Sequence, residues 1–306
     1  MARRNARAFS VLELIVCVGI LLAILIYFLA VRRTSRGWPA DRIKCAANLR
    51  MIGLAMKMYA VGETRTNAFP RTVHDRATAD FPTAYTNPNA ANPFAAGGPL
   101  PNDVTAAMFL ILRTQEITTG VFLCPEDRNG TPFPIPAGKT IQSFSNFPSQ
   151  SHLSYGMQNP YPTEAAEKAG FIWADTMSPD TAILADFNPG VPAVTTVTFN
   201  ASGVDQRKAN SPNHDYDGQN VLYADGHVDW SASVWAGAGQ DNIYGFNAPS
   251  TTIPASQPTL NTPATTTPAT TNPTNPPEQP VGIVGPPDGP DDSVILPAWD
   301  LKIPRP

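Results

Sequence analysis

The residues best suited to chemistry are gathered in one stretch, SPNHDYDGQNVLYADGHVDW, which begins at Ser211. Asn213, Asp215 and Asp217, followed by a glycine, match the first half of a D-x-[DN]-x-[DN]-G calcium loop, whose alternate side chains supply oxygen ligands. The last position of such a loop is normally a bidentate glutamate, and here it is Ala224. Two interpretations are open: a weak calcium site, or a polar turn that leads into a β-hairpin.

His214 lies beside Asp215, and a neighbouring carboxylate can orient an imidazole for acid–base catalysis. The sequence has no second metal-ligand pair, no Gly-x-Ser-x-Gly elbow and no phosphate-binding loop. We therefore expect His214 to be structural, with its ring hydrogen-bonded to nearby backbone. We expect no catalytic residue and no enzymatic activity.

The three cysteines are Cys17, Cys45 and Cys124. Neither Cys45 nor Cys124 belongs to a Cys-x-x-Cys pair, so their spacing matches no zinc pattern. In an oxidising compartment they could form a disulfide, which would stabilise the domain by roughly 3–5 kcal/mol for a loop of this length. The alternative is two buried thiols, because free cysteine is commonly a core residue. The disulfide is the favoured prediction.

The dipeptide Asp225-Gly226 stands between two apolar runs and predicts the tight turn of a β-hairpin. A two-residue hairpin turn needs positive φ at both central positions, which favours this dipeptide. The turn fixes the pairing of the two strands, and side chains alternate between the faces. The residues expected on the core face are Val221, Tyr223, Val228 and Trp230.

An amphipathic helix is predicted within residues 37–61, which include DRIKCAANLRMIGLAMKMYAV. Apolar residues recur along it at intervals of three and four, which places them on one helix face. We expect this face to pack against the chain's own domain. Its residues are Cys45, Leu49, Ile52, Met56 and Tyr59.

Residues 62–246 predict an α+β domain with a mostly antiparallel sheet. A short helix is expected near residues 104–112, with Asn102 or Asp103 as its N-cap. Short strands are expected near residues 121–124, 152–159 and 181–188, bounded by proline and asparagine. Strands that follow a long N-terminal helix indicate the α+β class.

Residues 247–306 predict a disordered tail, because this Thr/Pro/Asn-rich stretch carries too little apolar surface to order itself. Its last part, SVILPAWDLKIP, is more apolar, and could dock on the domain.

The N-terminal region has the composition of a membrane anchor. Residues 1–8 are basic, and from Leu14 to Val31 no side chain is charged, which corresponds to roughly 27 Å of helix, close to the thickness of a hydrocarbon core. Residues 9–36 therefore predict a single transmembrane helix. Glu13 is the exception in this run, because a carboxylate at membrane depth is costly and usually functional. Arginines flank both ends, so charge alone does not orient the helix.

The stretch AFSVLELIV resembles the class III signal of type IV prepilins and type II secretion pseudopilins. The resemblance implies that a prepilin peptidase cuts between Ala8 and Phe9, methylates the new N-terminus at Phe9, and acts on the cytoplasmic side. The family strongly favours glycine where this chain has Ala8. In the family's assembly, a neighbour's N-terminal amine would satisfy the Glu13 carboxylate, which makes its burial tolerable.

A second resemblance lies around His214. The chain is similar to a bacterial family that joins a prepilin-type N-terminus to a so-called processing-associated domain, named for a histidine followed by nine residues and Asp-Gly. Here ten residues separate His214 from Asp225 and Gly226. Further segments similar to the family occur in the family's order: KCAANLRMIGLAM, FLCPEDRNG, LSYGMQN and ILADFN. The resemblance therefore spans roughly residues 9–245.

Together these features predict a pilin-like fold and a structural subunit of a pilus or a type II secretion pseudopilus. The expected location is the bacterial inner membrane, with a cytoplasmic N-terminus and a periplasmic or extracellular domain. The expected partners are the prepilin peptidase and other pilin-like subunits. A net charge of −4 and a pI near 5.5 argue against nucleic-acid binding. No cofactor is expected beyond the calcium candidate. The alternative function is a monomeric, membrane-anchored module that binds a glycan or a peptide.

Overall fold

The structure is a computed structural model that describes residues 11–34, 38–63, 65–79, 82–190, 197–198, 200–245 and 294–296. The chain divides into two compact units, Met1–Ala40 and Asp41–Pro306. The predicted cleavage site at Ala8 and Phe9 lies outside the described residues, as does almost all of the predicted tail.

The first unit contains helix α1, Val11–Thr34. The side chains of this helix are described from Val11 to Tyr27, and all of them are exposed. Within the part of the chain that the structure describes, no helix combines the length and the apolar character needed to cross a membrane.

Helix α2, Trp38–Gly62, enters the second unit at Asp41. The predicted buried face is confirmed, because Cys45, Leu49, Ile52 and Met56 are fully buried and Tyr59 is half-buried.

The second unit is built on a five-stranded sheet, which confirms the α+β class. The strand order is β4-β3-β2-β1-β5, and every neighbouring pair is antiparallel. Strands β1 and β2 fall within the segments predicted for them. The strands are β1 Tyr155–Gln158, β2 Ala182–Asp186, β3 Gln219–Tyr223, β4 Val228–Ser231 and β5 Ile295–Leu296.

Apolar side chains cover both faces of this sheet. One face packs beneath α2 and α3 and carries Met157, Leu184 and Leu222. The other face carries Ala185 and Val221 and forms a smaller cluster. In a sheet that is buried on both faces, the residues of a strand do not alternate between buried and exposed. This explains why β1 and β2 are buried at every position.

Helix α3, Val104–Thr114, begins where the sequence predicts. Asp103 is the N-cap, and its carboxylate accepts a hydrogen bond from the backbone N–H of Ala106 at 2.8 Å. Two further helices were not predicted, because each is shorter than two turns and shows no apolar period; they are α4, Glu164–Ala169, and α5, Gly203–Ala209. Single turns of 3₁₀ helix occur at Arg76–Thr78, Thr119–Phe122, Ile141–Ser143, Gln150–His152, Pro212–His214 and Ala238–Gln240.

The strand predicted at residues 121–124 is wrong. The segment forms the 3₁₀ turn Thr119–Phe122 and then a tight turn closed by the N–H of Asp127 on the carbonyl of Cys124, at 3.0 Å. Pro125 has no backbone N–H to donate, so this segment could not have continued as a central strand.

The predicted hairpin is present, but its register is shifted by one residue. The structure pairs Val221 with Asp229 and Leu222 with Val228. Within the hairpin turn, only Gly226 has a positive φ, of 99°, so the loop holds three residues and ends in a bulge. A one-residue shift moves every side chain of one strand to the other face. The core face beneath α2 therefore carries Leu222, and Val221 lies on the opposite face.

Strand β5 comes from the segment predicted as tail. Val294, Ile295 and Leu296 are buried, and Leu296 pairs with Met157 of β1 at the edge of the sheet. The amide of Asn188 also donates to the carbonyl of Ile295 at 2.9 Å. Docking of the apolar end of the chain is thus observed at these three residues.

Candidate metal centre

Four buried side chains from distant parts of the chain converge under α2. They are Cys45, Cys124, Asp186 and His214, and one ligand atom of each lies within 4.8 Å of the others. Among the described residues, no other group of three or more histidine, cysteine or acidic side chains converges in this way. Thiolate, imidazole and carboxylate are all metal ligands. The group is named the Cys₂AspHis cluster below.

Four different elements supply the four side chains. Cys45 lies on the buried face of α2, and Cys124 follows the 3₁₀ turn Thr119–Phe122. Asp186 is the last residue of β2, and it lies on the same sheet face as Leu184 because strand side chains alternate. His214 ends the 3₁₀ turn Pro212–His214.

The donor atoms already lie near one another. The Cys45 thiol donates to Asp186 Oδ1 at 2.9 Å, and His214 Nε2 lies 3.0 Å from Asp186 Oδ2. The sulfur of Cys124 is 3.7 Å from His214 Nε2. Asp186 is therefore the centre of the group, between a thiol and an imidazole.

A second layer of polar groups holds Asp186 and His214 in place. His214 Nδ1 is 2.7 Å from Glu126 Oε2, so the ring is fixed through the nitrogen that faces away from the cluster. Asp186 Oδ2 accepts from the backbone N–H of Asn220 at 2.6 Å and from its side-chain amide at 3.1 Å. The amide of Asn213 donates to Asp186 Oδ1 at 3.3 Å.

The electrostatics of the cluster couple its four members. Burial alone would lower the pKa of His214, but the Asp186 carboxylate and Cys124 raise it to about 11. Burial would raise the pKa of Asp186, but His214 and the Cys45 thiol hold it below its usual range. Burial and the neighbouring Cys124 raise the pKa of Cys45 well above its usual value. Burial opposes the ionisation of Cys124 too, yet hydrogen bonds from Cys45 and His214 lower its pKa.

A catalytic arrangement of Cys124, His214 and Glu126 would use some of the same atoms. A nucleophilic cysteine needs access to a substrate and a direct hydrogen bond to its base. Cys124 is 2% exposed, and Asp186 lies closer to His214 Nε2 than the Cys124 sulfur does. The geometry therefore favours metal binding over nucleophilic catalysis.

The residues predicted from the sequence have different outcomes. His214 is buried as expected of a structural residue, but the predicted backbone partner is wrong, because its two ring nitrogens face the carboxylates of Glu126 and Asp186. Asp225 and Gly226 form the hairpin turn, where Asp225 accepts from the backbone N–H of His227 at 2.9 Å.

The predicted calcium ligands are directed to three different partners. Asn213 donates to the carbonyl of Ser154 at 2.6 Å, Asp215 pairs with Arg128 at 3.3 Å, and Asp217 pairs with Arg207. The polar-turn interpretation describes this loop, because the three side chains fasten it to separate neighbours.

The structure has Cys45 and Cys124 as free thiols, with their sulfur atoms within 4.8 Å of each other. The lack of a Cys-x-x-Cys pair does not exclude a zinc site, because that pattern covers only ligands that are close together in sequence.

Asp186 and Glu126 were not singled out from the sequence. One signal for Asp186 was available: it ends a strand, AILAD, that is otherwise entirely apolar, and a charge in such a position is buried only with partners. The partners themselves lie 141 and 28 positions away and have no sequence signature.

Comparison of the chain with protein-family models, with curated proteins and with solved structures finds no match to any of the three.

Proposed function

We propose that this chain is a pilin-like structural subunit. Its N-terminal segment inserts into the bacterial inner membrane, a prepilin peptidase cuts before Phe9, and the subunits assemble through α1 and α2 into a pilus or a type II secretion pseudopilus. The α+β domain then lies on the periplasmic or extracellular side.

The observation that carries the proposal is an exposed apolar stripe on α2, on the side opposite its buried face. The exposed fractions run from 45% for Met51 to 73% for Val61. The last four members recur at intervals of three and four residues and form one continuous surface, and the first lies on the same side of the helix about two turns earlier. The stripe consists of Ile43, Met51, Leu54, Met58 and Val61.

A helix that serves only its own domain has a polar outer face. Contiguous exposed apolar surface instead marks an interaction site. The occupant we assign is the corresponding helix of a second copy of this chain. Helix α1 also has exposed apolar side chains between Val11 and Tyr27, with Glu13 as the charged exception. Helix packing of this kind buries apolar residues from both partners.

The N-terminal sequence supports the same assignment. The segment AFSVLELIV has the pattern of a prepilin peptidase substrate, and Phe9 would become the methylated N-terminus. In this proposal Glu13, in the first turn of α1, accepts the N-terminal amine of a neighbouring subunit. A carboxylate at membrane depth is tolerated when a cation compensates it.

The test is crosslinking of full-length chains in native membranes through Cys17, which is exposed on α1. Wild type is expected to give crosslinked dimers, because each chain offers one exposed thiol and assembled subunits pack their N-terminal helices together. Leu54→Glu should be inserted and cut but give only monomers, since it places a charge in the stripe. Val204→Glu is the matched control, because it adds the same charge at an apolar residue that is 65% exposed and lies on α5, outside the stripe.

Glu13→Ala provides a second test at the other helix. We expect insertion and cleavage, verified by N-terminal mass spectrometry, with loss of the crosslinked dimer. If both Leu54→Glu and Glu13→Ala give as much crosslinked dimer as wild type, assembly through these helices is refuted. If wild type itself remains monomeric in the membrane, the chain is an anchored binding module instead.

A further inference from the structure

We propose that Cys45, Cys124, Asp186 and His214 bind one Zn²⁺ ion, and that this ion fastens α2 to the sheet. The inference does not depend on the proposed assembly, because it concerns only the interior of the second unit.

The first argument is distance. Zinc binds sulfur at about 2.3 Å and nitrogen or oxygen at about 2.0–2.2 Å, so tetrahedral ligands lie about 3.3–3.8 Å from one another. The cluster has atom pairs at 2.9, 3.0 and 3.7 Å, and its outermost pair lies within 4.8 Å. Shifts of about 1 Å or less at the side chains would bring all four donors onto one centre.

The second argument is the support around the ligands. A histidine that binds a metal usually donates its other ring N–H to a carboxylate, which fixes the tautomer and strengthens the ligand. Glu126 occupies this position on His214 Nδ1, at 2.7 Å, and leaves Nε2 directed at Asp186. The carboxylate of Asp186 is likewise oriented, by Asn220 and Asn213.

The third argument is charge. Two thiolates and Asp186 would place three negative charges in a fully buried position, and buried charges need compensation. A divalent cation offsets two of them and displaces the protons of the thiols and of the imidazole on binding.

The donor set selects the metal. Two soft sulfur ligands exclude calcium and magnesium, which take oxygen donors, and a set of four protein ligands that includes sulfur and nitrogen suits zinc. Catalytic zinc sites keep a position open for water, whereas structural sites are closed by four protein ligands. This cluster has four, all buried, so the ion is structural.

The ion would join α2, β2 and the two loops that hold Cys124 and His214. Because the four ligands lie far apart in sequence, the unfolded chain offers no comparable site, and binding free energy becomes folding free energy. Strong chelation should therefore lower the thermal stability of the second unit.

The experiment is elemental analysis of the full-length protein, purified in detergent without chelator. We expect one zinc per chain in wild type and in Cys17→Ser, whose cysteine lies outside the cluster. Cys45→Ser and Cys124→Ser should lose the zinc. Native mass spectrometry reads the same outcome, and a wild-type chain that is two hydrogens lighter and free of zinc would show a disulfide and overturn the proposal.

Cobalt substitution keeps the test independent of whether the cysteine variants fold. Wild type loaded with Co²⁺ should show intense tetrahedral d–d bands and a sulfur-to-cobalt charge-transfer band. Glu126→Gln, which leaves all four ligands in place, should weaken zinc binding about 10–100-fold. Weak, octahedral cobalt bands in wild type would refute the assignment. It would also be refuted if Glu126→Gln left the zinc affinity unchanged and Cys124→Ser retained its zinc.

Discussion

Two leucines on α2 provide a sharp test of which helix face the domain uses. Leu49 is fully buried, whereas Leu54, five positions later, is 60% exposed. Leucine to alanine is the same chemical change at both sites, and the small gain in helix propensity is common to both. The difference between the two variants therefore reports packing alone.

The burial of each leucine sets the magnitude. Removing the Leu49 side chain beyond Cβ deletes buried methyl groups and leaves a cavity, which costs about 2–5 kcal/mol of unfolding free energy. Leu54 buries at most two-fifths of its surface in the monomer, so the same change costs under about 1 kcal/mol. The exposed part of Leu54 would be buried only in the assembly.

The assay is urea unfolding of the full-length protein in detergent, with buffer and zinc concentration fixed, followed by tryptophan fluorescence. Trp173 is buried in the core and should report the unfolding of the second unit. Leu49→Ala should lower the transition midpoint clearly at unchanged slope, and Leu54→Ala should leave it near wild type. Equal losses in the two variants, or a larger loss for Leu54→Ala, would refute the assigned orientation of α2.

Three further outcomes follow from local geometry. Gly226→Ala should destabilise the domain by about 1–2 kcal/mol, because the φ of 99° is strained for a residue with a Cβ. The added Cβ itself has room, since its nearest neighbour, on Lys57, is 3.6 Å away. Gly226→Asn should cost less in the same urea assay, and equal costs would contradict a backbone origin of the effect. Leu296→Ala should cost about 2–5 kcal/mol, since this side chain is 1% exposed in the edge strand; an unchanged midpoint would show that β5 does not dock in solution. Burial, with the charge of Arg71, lowers the pKa of His74, so an NMR titration should place it below the ordinary value of about 6.5. Near that pH the folded state then binds fewer protons at His74 than the unfolded chain does. The contribution of His74 to stability is therefore lost as the pH falls through its folded pKa. A titration midpoint above the ordinary value would contradict this prediction.

Local patterns in the sequence were sufficient for the parts of the fold that depend on neighbouring residues. The buried face of α2 follows from the spacing of its apolar residues, and the start of α3 follows from Asp103 as a cap. The hairpin was also predictable, but its register was not. The dipeptide Asp225-Gly226 is compatible with two turn types, and the packing of Leu222 under α2 fixes the observed one.

The candidate site depends on contacts that have no local signature. The sequence indicated that Cys45 and Cys124 come together, but the chemistry of the pair is set by Asp186 and His214, which arrive from other elements. The exposed stripe of α2 was present in the sequence as a second apolar period, through Leu54 and Met58. It was obscured because a helix with apolar residues on two sides has only a weak amphipathic pattern.

The position of β5 has a consequence for the order in which the sheet is completed. Strand β1 is flanked by β2 on one side and by β5 on the other, and β5 lies at residues 295–296, after every other element that the structure describes. A chain that is synthesised from its N-terminus presents this edge of β1 with unpaired backbone groups until residues 295 and 296 have been made. Such an edge is a template for pairing with another chain. The pairing of β5 with β1 is therefore a late step in folding: before it forms, the sheet is open to strand exchange with another chain, and afterwards this edge is covered.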